Sequence, residues 1–403
     1  MSDSRARSRR IRPDSRPWEA NATRSTSWRP SASGPETTRP PSGWRRTRRS
    51  REPIDPFTGT ASGGARHESA GRMYGPRRDL WPDPRYDPAM SDQPPLTLMT
   101  VHAHPDDETI GTGGLMASAV ADGRRVVLVT CTRGEQGEIV VPEMDTPENH
   151  RRLGELRAAE LEAAMADLGV TEWESLGYRD SDMMGRTGNL DPRCFWQADL
   201  DEAGGRLTWL VRRHRPDVMT TYNDFGGYGH PDHIRTHDVA VRAFARAGDP
   251  AWYPWQLAPE HGGTGPAEAD GGLAPWLPKK LYEQAIPASV RNAMRDRMEA
   301  LGEQSWWSEP ADASPEELEA WRERMAKMLV PDESVTTWID VADVLDRKWA
   351  AIWRHRTQMS PDSPFLRFGV DAWREYWSRE AYILRESRVP TAIPETDVFA
   401  GLA

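Results

Sequence analysis

From residue 96 onward the apolar positions fall into two alternating periods. LTLMTVH (96–102) and VVLVTCT (126–132) are short, nearly unbroken apolar runs of the kind a strand buried on both faces shows. Between them, LMASAVADG (115–123) carries apolar residues at helical spacing and ends on Gly123. Strand, helix and strand within about forty residues make the repeating unit of a parallel sheet. Residues 150–168 (HRRLGELRAAELEAAMADL) are strong helix formers stopped by Gly169, and 200–214 predict another helix. RPDVMTTY (215–222) predicts a strand and DHIRTHDVAVRAFARAG (232–248) a helix closed by Gly248. After a Gly/Pro/Ala-rich stretch at 249–278, the pattern predicts a strand at 279–286, a helix at 289–302 and a short helix at 315–329. A strand at 335–341, a helix at 344–358 and a closing strand at 379–387 follow. Trp recurs from 252 on and reads as core and loop anchoring, with one or two candidates for a substrate-facing wall. The alternation predicts an α/β fold, a doubly wound, mostly parallel sheet with helices on both faces.

Residues 1–89 show neither period. Ser, Pro, Gly and Arg dominate there, too little apolar surface to offset chain entropy. The expectation is a disordered extension at 1–89 and one folded domain at 90–403, with 249–334 a loop-rich insertion within it. The charge divides the same way. The 403 residues carry 52 Lys+Arg against 62 Asp+Glu, a net of -10. The extension holds 19 Arg, no Lys and 10 acids, a net of +9, and the remainder 33 bases against 52 acids, a net of -19. An Arg-rich arm attracts phosphates, which is the nucleic-acid reading. Its scattered acids, and the lack of any folded nucleic-acid motif, weigh against that reading. Met90 also opens MSDQPPLTLMTVHAHPDDE, which reads as a natural beginning. Two Cys, Cys131 and Cys194, exclude a disulfide scaffold and a Cys-rich zinc module. No run approaches the ~18 apolar residues of a membrane helix, and no apolar signal-peptide core opens the chain. A cytoplasmic protein with no membrane partner is expected.

The chemistry concentrates in two segments. Of ten His, five lie in or just after His102-Ala103-His104-Pro105-Asp106-Asp107-Glu108 and Tyr228-Gly229-His230-Pro231-Asp232-His233. Both segments sit where a strand hands over to a helix, and ligands of open α/β sheets bind at the carboxyl ends of strands. A catalytic zinc takes about three protein ligands from His, Asp or Glu and keeps one position open. His104 and Asp107, three apart across a turn, can reach one ion, and His233 supplies a third ligand from the distant segment. His237, four residues after His233, has an equally good helical spacing, and spacing does not choose between them. An ion there brings the pKa of water toward ~7. Asp106 is then placed to take the proton. His230 is left to donate to an oxyanion or a leaving amine. His102 shares a strand face with His104 and is a candidate outer group.

The two segments resemble the signature of the LmbE-like (PIG-L) zinc deacetylase family. A His-Pro-Asp-Asp-Glu motif is complete at 104–108 and a His-Pro-Asp-His motif at 230–233. The likeness is close over about 96–245 and looser to the end, where ETDVFAGLA resembles the C-terminus of the family's mycothiol-pathway branch. The resemblance implies a Rossmann-like fold, zinc (with iron the other candidate ion) on His104, Asp107 and His233, and Asp106 as general base. It implies His230 as oxyanion stabiliser or acid, oriented by Asp232, and Tyr228 aimed at the substrate carbonyl. On the substrate side it offers Arg157 in ELRAAELEAAMADLGV, Asp180 in Gly177-Tyr178-Arg179-Asp180-Ser181, and Glu135 or Glu138 in TRGEQGEI. The implied activity is removal of an N-acetyl group from a small-molecule amino sugar, N-acetylglucosaminyl-inositol. The alternative is the branch's mycothiol S-conjugate amidase. That subgroup typically carries a Lys where this chain has Gly111, which favours the deacetylase, while the C-terminus and VPEMDTP (141–147) lean toward the amidase.

A nucleotide-binding sheet is the rival among α/β readings. Gly111, Gly113 and Gly114 do not form GxGxxG, and Thr130-Cys131-Thr132 stands where an acidic residue would end the second strand. Removing residues 1–89 and measuring activity and DNA affinity separates the enzyme reading from the nucleic-acid one. The sequence leaves the oligomeric state open.

Overall fold

A computed structural model describes residues 94–257, 273–302, 308–310, 312–363, 366–367 and 369–402. The expectation for residues 1–89 lies outside the described residues. In chain order, β1 (Thr97–His102) leads through α1 (Asp107–Gly111) and α2 (Gly113–Ala121) to β2 (Arg125–Thr130). Then come α3 (Pro147–Arg151), α4 (Leu153–Leu168), β3 (Glu172–Ser175), α5 (Leu200–His214) and β4 (Val218–Thr221). After α6 (Gly226–Gly229), α7 (Pro231–Arg246) and β5 (Lys280–Gln284) come β6 (Ile286–Pro287), α8 (Ala288–Ala300), α9 (Pro315–Met328) and β7 (Leu329–Val330). The chain closes with β8 (Thr337–Asp340), α10 (Leu345–Ile352), α11 (Gly369–Tyr376) and β9 (Arg379–Ser387).

Seven strands form one sheet in the order β3-β2-β1-β4-β5-β9-β8, and β6 pairs with β7 separately. From β3 to β5 every pairing is parallel, and β9 runs antiparallel to both its neighbours. Successive strand residues feed opposite cores. Leu98, Val126, Leu128, Val218 and Tyr282 pack with Leu115 of α2, Leu161 and Met165 of α4 and Ala351 of α10. Met99, Val101, Val127, Val129, Met219 and Leu281 pack with Leu207 and Val211 of α5 and Val239 and Ala243 of α7. Covering both faces explains why β1 and β2 read as apolar runs rather than as alternations.

The element boundaries have local causes. Gly169 ends α4 at φ 78, and the Asp199 side chain caps α5 by accepting from the Glu202 N–H. Ser314 and Glu317 form a reciprocal capping box on α9. The stretch 249–334 contains β5, which sits inside the sheet between β4 and β9, together with α8 and α9. The C-terminal tail docks on that half of the sheet, where Glu395 accepts from Lys280 Nζ (2.5 Å) and Tyr282 OH (2.7 Å). No helix among the described residues is long and apolar enough to cross a membrane.

Candidate active site

β1 and β4 are neighbours in register, with Thr100 beside Thr220, so their carboxyl ends emerge together. The two motif segments leave from those ends, which is why residues more than a hundred apart meet. Asp107 Oδ2 lies 3.3 Å from His104 Nδ1 and 3.3 Å from His233 Nε2. Ligands about 2.0–2.1 Å from a tetrahedral zinc stand about 3.3 Å from one another, so Asp107 Oδ2 stands one such edge from each of the two imidazoles. The other ring nitrogen of His104, Nε2, is 3.2 Å from Asp232 Oδ2. That is the carboxylate partner which metal-bound imidazoles commonly keep on their far side. His233 Nδ1 is buried with no hydrogen-bond partner among the described residues.

Two ion-sized groups occur here among the described residues. They are His104, His230 and His233, and His104, Asp180, His230 and Asp232, with ligand atoms within 4.8 Å of one another. The site is thus a candidate His/Asp metal centre: His104 and His230 belong to both groups, His233 to one, and Asp107 joins them through its 3.3 Å contacts with His104 and His233. His237 belongs to neither group: its Nδ1 faces the Tyr222 carbonyl at 2.9 Å and Glu283 at 3.5 Å. His102 is buried one layer further in, between Thr112 Oγ1 at 2.8 Å and Tyr222 OH at 3.3 Å. Gly226 keeps the second segment close, because at φ 66 a Cβ there would come within 2.6 Å of His233.

Asp106 is the strained residue of the site, at φ 126 and ψ -34. Such conformations cost about 1–3 kcal/mol and persist only where neighbours enforce them. Arg157 Nη2 donates to Asp106 Oδ1 at 2.9 Å, and the Asp106 N–H donates to Glu108 Oε2 at 2.8 Å. Burial lifts the Asp106 carboxyl to about 6, against the opposing pull of the Arg157 guanidinium. Asp107 behaves oppositely. Burial alone would raise it, but the imidazoles of His233 and His104 hold it well below the usual carboxylate range. Burial likewise opposes charge on His104, yet Asp180, Asp107 and Asp232 keep it well above an ordinary imidazole. Adjacent aspartates in one motif therefore sit in opposite electrostatic states.

His230 is the N-cap of α7, with Nδ1 accepting from the Asp232 N–H at 3.1 Å. A neutral ring so engaged carries its proton on Nε2, the donor left for the site. Burial, with the neighbouring charges of His104 and His233, pushes its basicity far down. Here the sequence reading needs correcting. Asp232 does not orient His230 through its carboxylate. That carboxylate turns to His104 and to Ser181, accepting from Ser181 N at 2.9 Å and from Ser181 Oγ, and only the Asp232 backbone amide serves His230. Tyr228 is 40% exposed, with its hydroxyl 3.4 Å from His233 Nε2.

The substrate-side candidates separate. Asp180 is buried, 3.9 Å from His104 Nε2, and its backbone N–H donates to Glu135 Oε2 at 3.2 Å. Glu135 thus stands one residue beyond the centre, whereas Glu138 is exposed. Arg157 is buried beneath the site, its Nη atoms donating to Asp106, Pro105 O and Gly134 O. Gly134, at φ 66, leaves room for it, since a Cβ there would lie 2.3 Å from the guanidinium. A Cβ at Gly111 would meet Gln284 Oε1 at 2.0 Å, so Gln284 fills the space a side chain at 111 would claim. Sequence reasoning missed Tyr222, whose ring stacks on His233 at 4.2 Å, and Ser181, Glu108 and His355. Of these, Glu108 and Ser181 lay inside quoted motifs without being given a role, and Tyr222 and His355 lay outside them.

A mostly parallel α/β sheet with a candidate metal centre at its strand ends, and a raised carboxyl beside it, is equipped for hydrolysis. The family described as GlcNAc-PI de-N-acetylase (PIG-L) matches residues 99–244. The 1D-myo-inositol 2-acetamido-2-deoxy-alpha-D-glucopyranoside deacetylase of Geodermatophilus obscurus is 42% identical over 316 residues, covering 77% of this chain and 99% of that protein. Its counterpart in Streptomyces avermitilis is 41% identical over 324 residues, covering 78% of this chain and 100% of that protein. Among solved structures, N,N'-diacetylchitobiose deacetylase from Pyrococcus horikoshii aligns with a TM-score of 0.46 and 20% identity, over 72% of this chain and 83% of that one. The chain belongs to the GlcNAc-PI de-N-acetylase family, enzymes that hydrolyse N-acetyl amide bonds.

Proposed function

We propose that this protein hydrolyses the N-acetyl group of 1D-myo-inositol 2-acetamido-2-deoxy-α-D-glucopyranoside, with zinc held by His104, Asp107 and His233. The observation that carries the chemistry is the Asp106 carboxylate, fixed by Arg157 beside the His104–Asp107–His233 set. The substrate assignment is supported by relatives of that name at 42% and 41% identity along almost their whole length. Zinc suits two imidazoles and a carboxylate, and iron is the other ion this donor set takes. Such an ion supplies Lewis acidity, polarising the acetyl carbonyl and making water acidic enough to attack near neutral pH.

The chain's own groups do the rest. Asp106 accepts the proton of the attacking water, a task suited to a carboxyl lifted toward neutrality. His230, its Nδ1 occupied by a backbone amide, presents Nε2–H to the developing oxyanion, and Tyr228 adds a hydroxyl from the exposed side. The proton gathered on Asp106 then returns to the leaving amine, so free amino sugar and acetate depart with no covalent enzyme intermediate. Asp180 and Glu135 are the acceptors for sugar hydroxyls. Asp232 keeps His104 in the tautomer that points Nδ1 at Asp107.

The test sets the acetylated glucosaminyl-inositol against a mycothiol S-conjugate at equal concentration and compares kcat/KM, with zinc and iron measured in the natively purified protein. The acetylated sugar is expected to give the higher value. A higher value for the S-conjugate would promote the amidase reading, and metal below stoichiometric trace would end the metal assignment.

A further inference from the structure

Glu108 and His355 are 247 residues apart and meet beneath the site. Both side chains have 0% exposure, and Glu108 Oε1 lies 2.8 Å from His355 Nε2. The other oxygen, Oε2, accepts the Asp106 N–H at 2.8 Å. A buried carboxylate carries a desolvation cost that only good partners offset. Here one partner is an imidazole from the far end of the chain and the other is the backbone of the strained residue. His355 Nδ1 has no partner among the described residues, so the recorded hydrogen bonding of the ring is committed to Glu108.

His355 is itself held in place. It follows α10, and the next residues strap it to two other parts of the site. Thr357 N and Oγ1 donate to Glu160 at 2.8 and 2.7 Å, and Glu160 lies one turn along α4 from Arg157. Val140 N donates to Thr357 O at 2.9 Å, and Gln358 Nε2 donates to Glu138 O at 2.9 Å. The segment 355–358 therefore ties together the first motif, the Arg157 helix and the 133–140 loop. Asp106 is held by Arg157 on its carboxylate, by Glu108 on its N–H and by Thr109 on its carbonyl, and the strap anchors Glu108 and the Arg157 helix.

We propose that His355 and Glu108 are positioning residues for Asp106: His355 orients the Glu108 carboxylate, which pins the Asp106 N–H and so aims the Asp106 carboxylate. The inference rests on Asp106 being the general base. A shift of about 1 Å in a reacting group can cost about 10²-fold in rate, so loss of the imidazole lowers kcat by about that factor. KM and metal content stay within twofold, because the His355 ring contacts Glu108 and not Asp107 or the sugar acceptors, while the ties to α4 and the 133–140 loop are made by Thr357 and Gln358.

The experiment uses the full chain and the N-acetylated amino sugar that the wild type hydrolyses. Four variants are compared: His355→Leu, His355→Gln, Asp106→Asn, and Asp106→Asn with His355→Leu. Gln keeps a donor long enough to reach Glu108 and is expected to recover most of the rate, while Leu is not. In the double variant, His355→Leu adds no further loss, because its effect passes through a base already removed. A further loss in the double variant, a fall in metal content, or a rise in KM in place of a fall in kcat would overturn the inference. So would wild-type kcat in His355→Leu. Should His355→Leu fail to fold, His355→Asn replaces it as a polar residue too short to reach Glu108, with the same expectation. An active Asp106→Asn would instead overturn the base assignment itself, which separates the two failures.

Discussion

The site is built from the same tripeptide twice, and the two copies do opposite things. In His104-Pro105-Asp106 the imidazole faces Asp107 and Asp232, and the carboxylate is held by Arg157. In His230-Pro231-Asp232 the carboxylate goes inward to His104 and Ser181, and the imidazole, though within the same ion-sized cluster, accepts the Asp232 N–H. The cause lies in the backbone on the C-terminal side of each copy. After Pro231 a 16-residue helix starts at once, so His230 becomes its N-cap and the Asp232 N–H is pinned to the ring. After Pro105 the chain makes a strained turn, with Asp106 at φ 126, held by Glu108 and Arg157. Equal composition, set in an extended-to-helix junction and in a forced turn, suits the proposed donor in one case and the proposed base in the other.

The largest effect that would break this contrast is expected at Asp106. Asp106→Asn keeps the shape, removes the basicity, and should lower kcat/KM by ~10²–10⁴ with metal content unchanged. Its counterpart Asp107→Asn should lose metal, because that carboxylate faces both imidazoles. If both variants lose metal alike, the division of labour between adjacent aspartates is wrong. His230 comes next. His230→Ala should lower kcat by ~10²–10³, the range for one oxyanion donor. It should also cost ~1 kcal/mol of stability by uncapping α7. His230→Asn separates the two roles, since Asn caps well but is too short to replace Nε2–H. Recovery of Tm without recovery of rate is the expected result, and recovery of both would mean that the ring matters only as a cap.

Asp232 gives a smaller effect of a different kind. Because its carboxylate supports His104 and does not touch the proposed base, Asp232→Asn should weaken metal binding by ~10–100-fold, and activity should return at high metal concentration. A rate loss that excess metal does not restore would put Asp232 back beside His230, where the sequence reading had it.

Much of this was legible in the chain. The four inner parallel strands alternate between two apolar cores, so β1 and β2 show as apolar runs, and the convergence of the two motifs follows from strand ends in a doubly wound sheet. β3 (EWES) did not show, because as a half-exposed edge strand it needs no apolar run. α11 was missed as well, an eight-residue helix held chiefly by one buried Trp373 in a cluster with Leu345, Ile352 and Leu366. The antiparallel course of β9 is a matter of connection, not of pattern. Within the site, the meeting of His104, Asp107 and His233 was readable from the two motifs and the resemblance. The target of the Asp232 carboxylate and the Glu108–His355 pair were not, since each depends on contacts made across 51 to 247 residues with no local periodicity to announce them. Arg157 showed as a charged residue on a helix, and only packing reveals that its guanidinium lies under Asp106.

The smallest expected effect tests the second copy at its proline. Pro231 occupies the first turn of α7, where its missing N–H costs nothing and its ring presets the helical φ. It also disfavours a helical conformation at the residue before it, and His230 sits accordingly at φ -68 and ψ 134, the extended geometry an N-cap needs. Pro231→Ala removes both biases while leaving every hydrogen bond of the cap available. The loss is therefore chiefly in the unfolded chain's freedom, about 0.4–1 kcal/mol, or a Tm lowered by about 1–4 °C for a domain of this size. Metal content and kcat/KM should not change, because the bond from the Asp232 N–H to His230 Nδ1 still fixes the ring. A tenfold fall in kcat/KM with metal retained would show that the hydrogen bond alone does not aim the imidazole. The donor role of His230 would then belong to the proline-set backbone as much as to the cap.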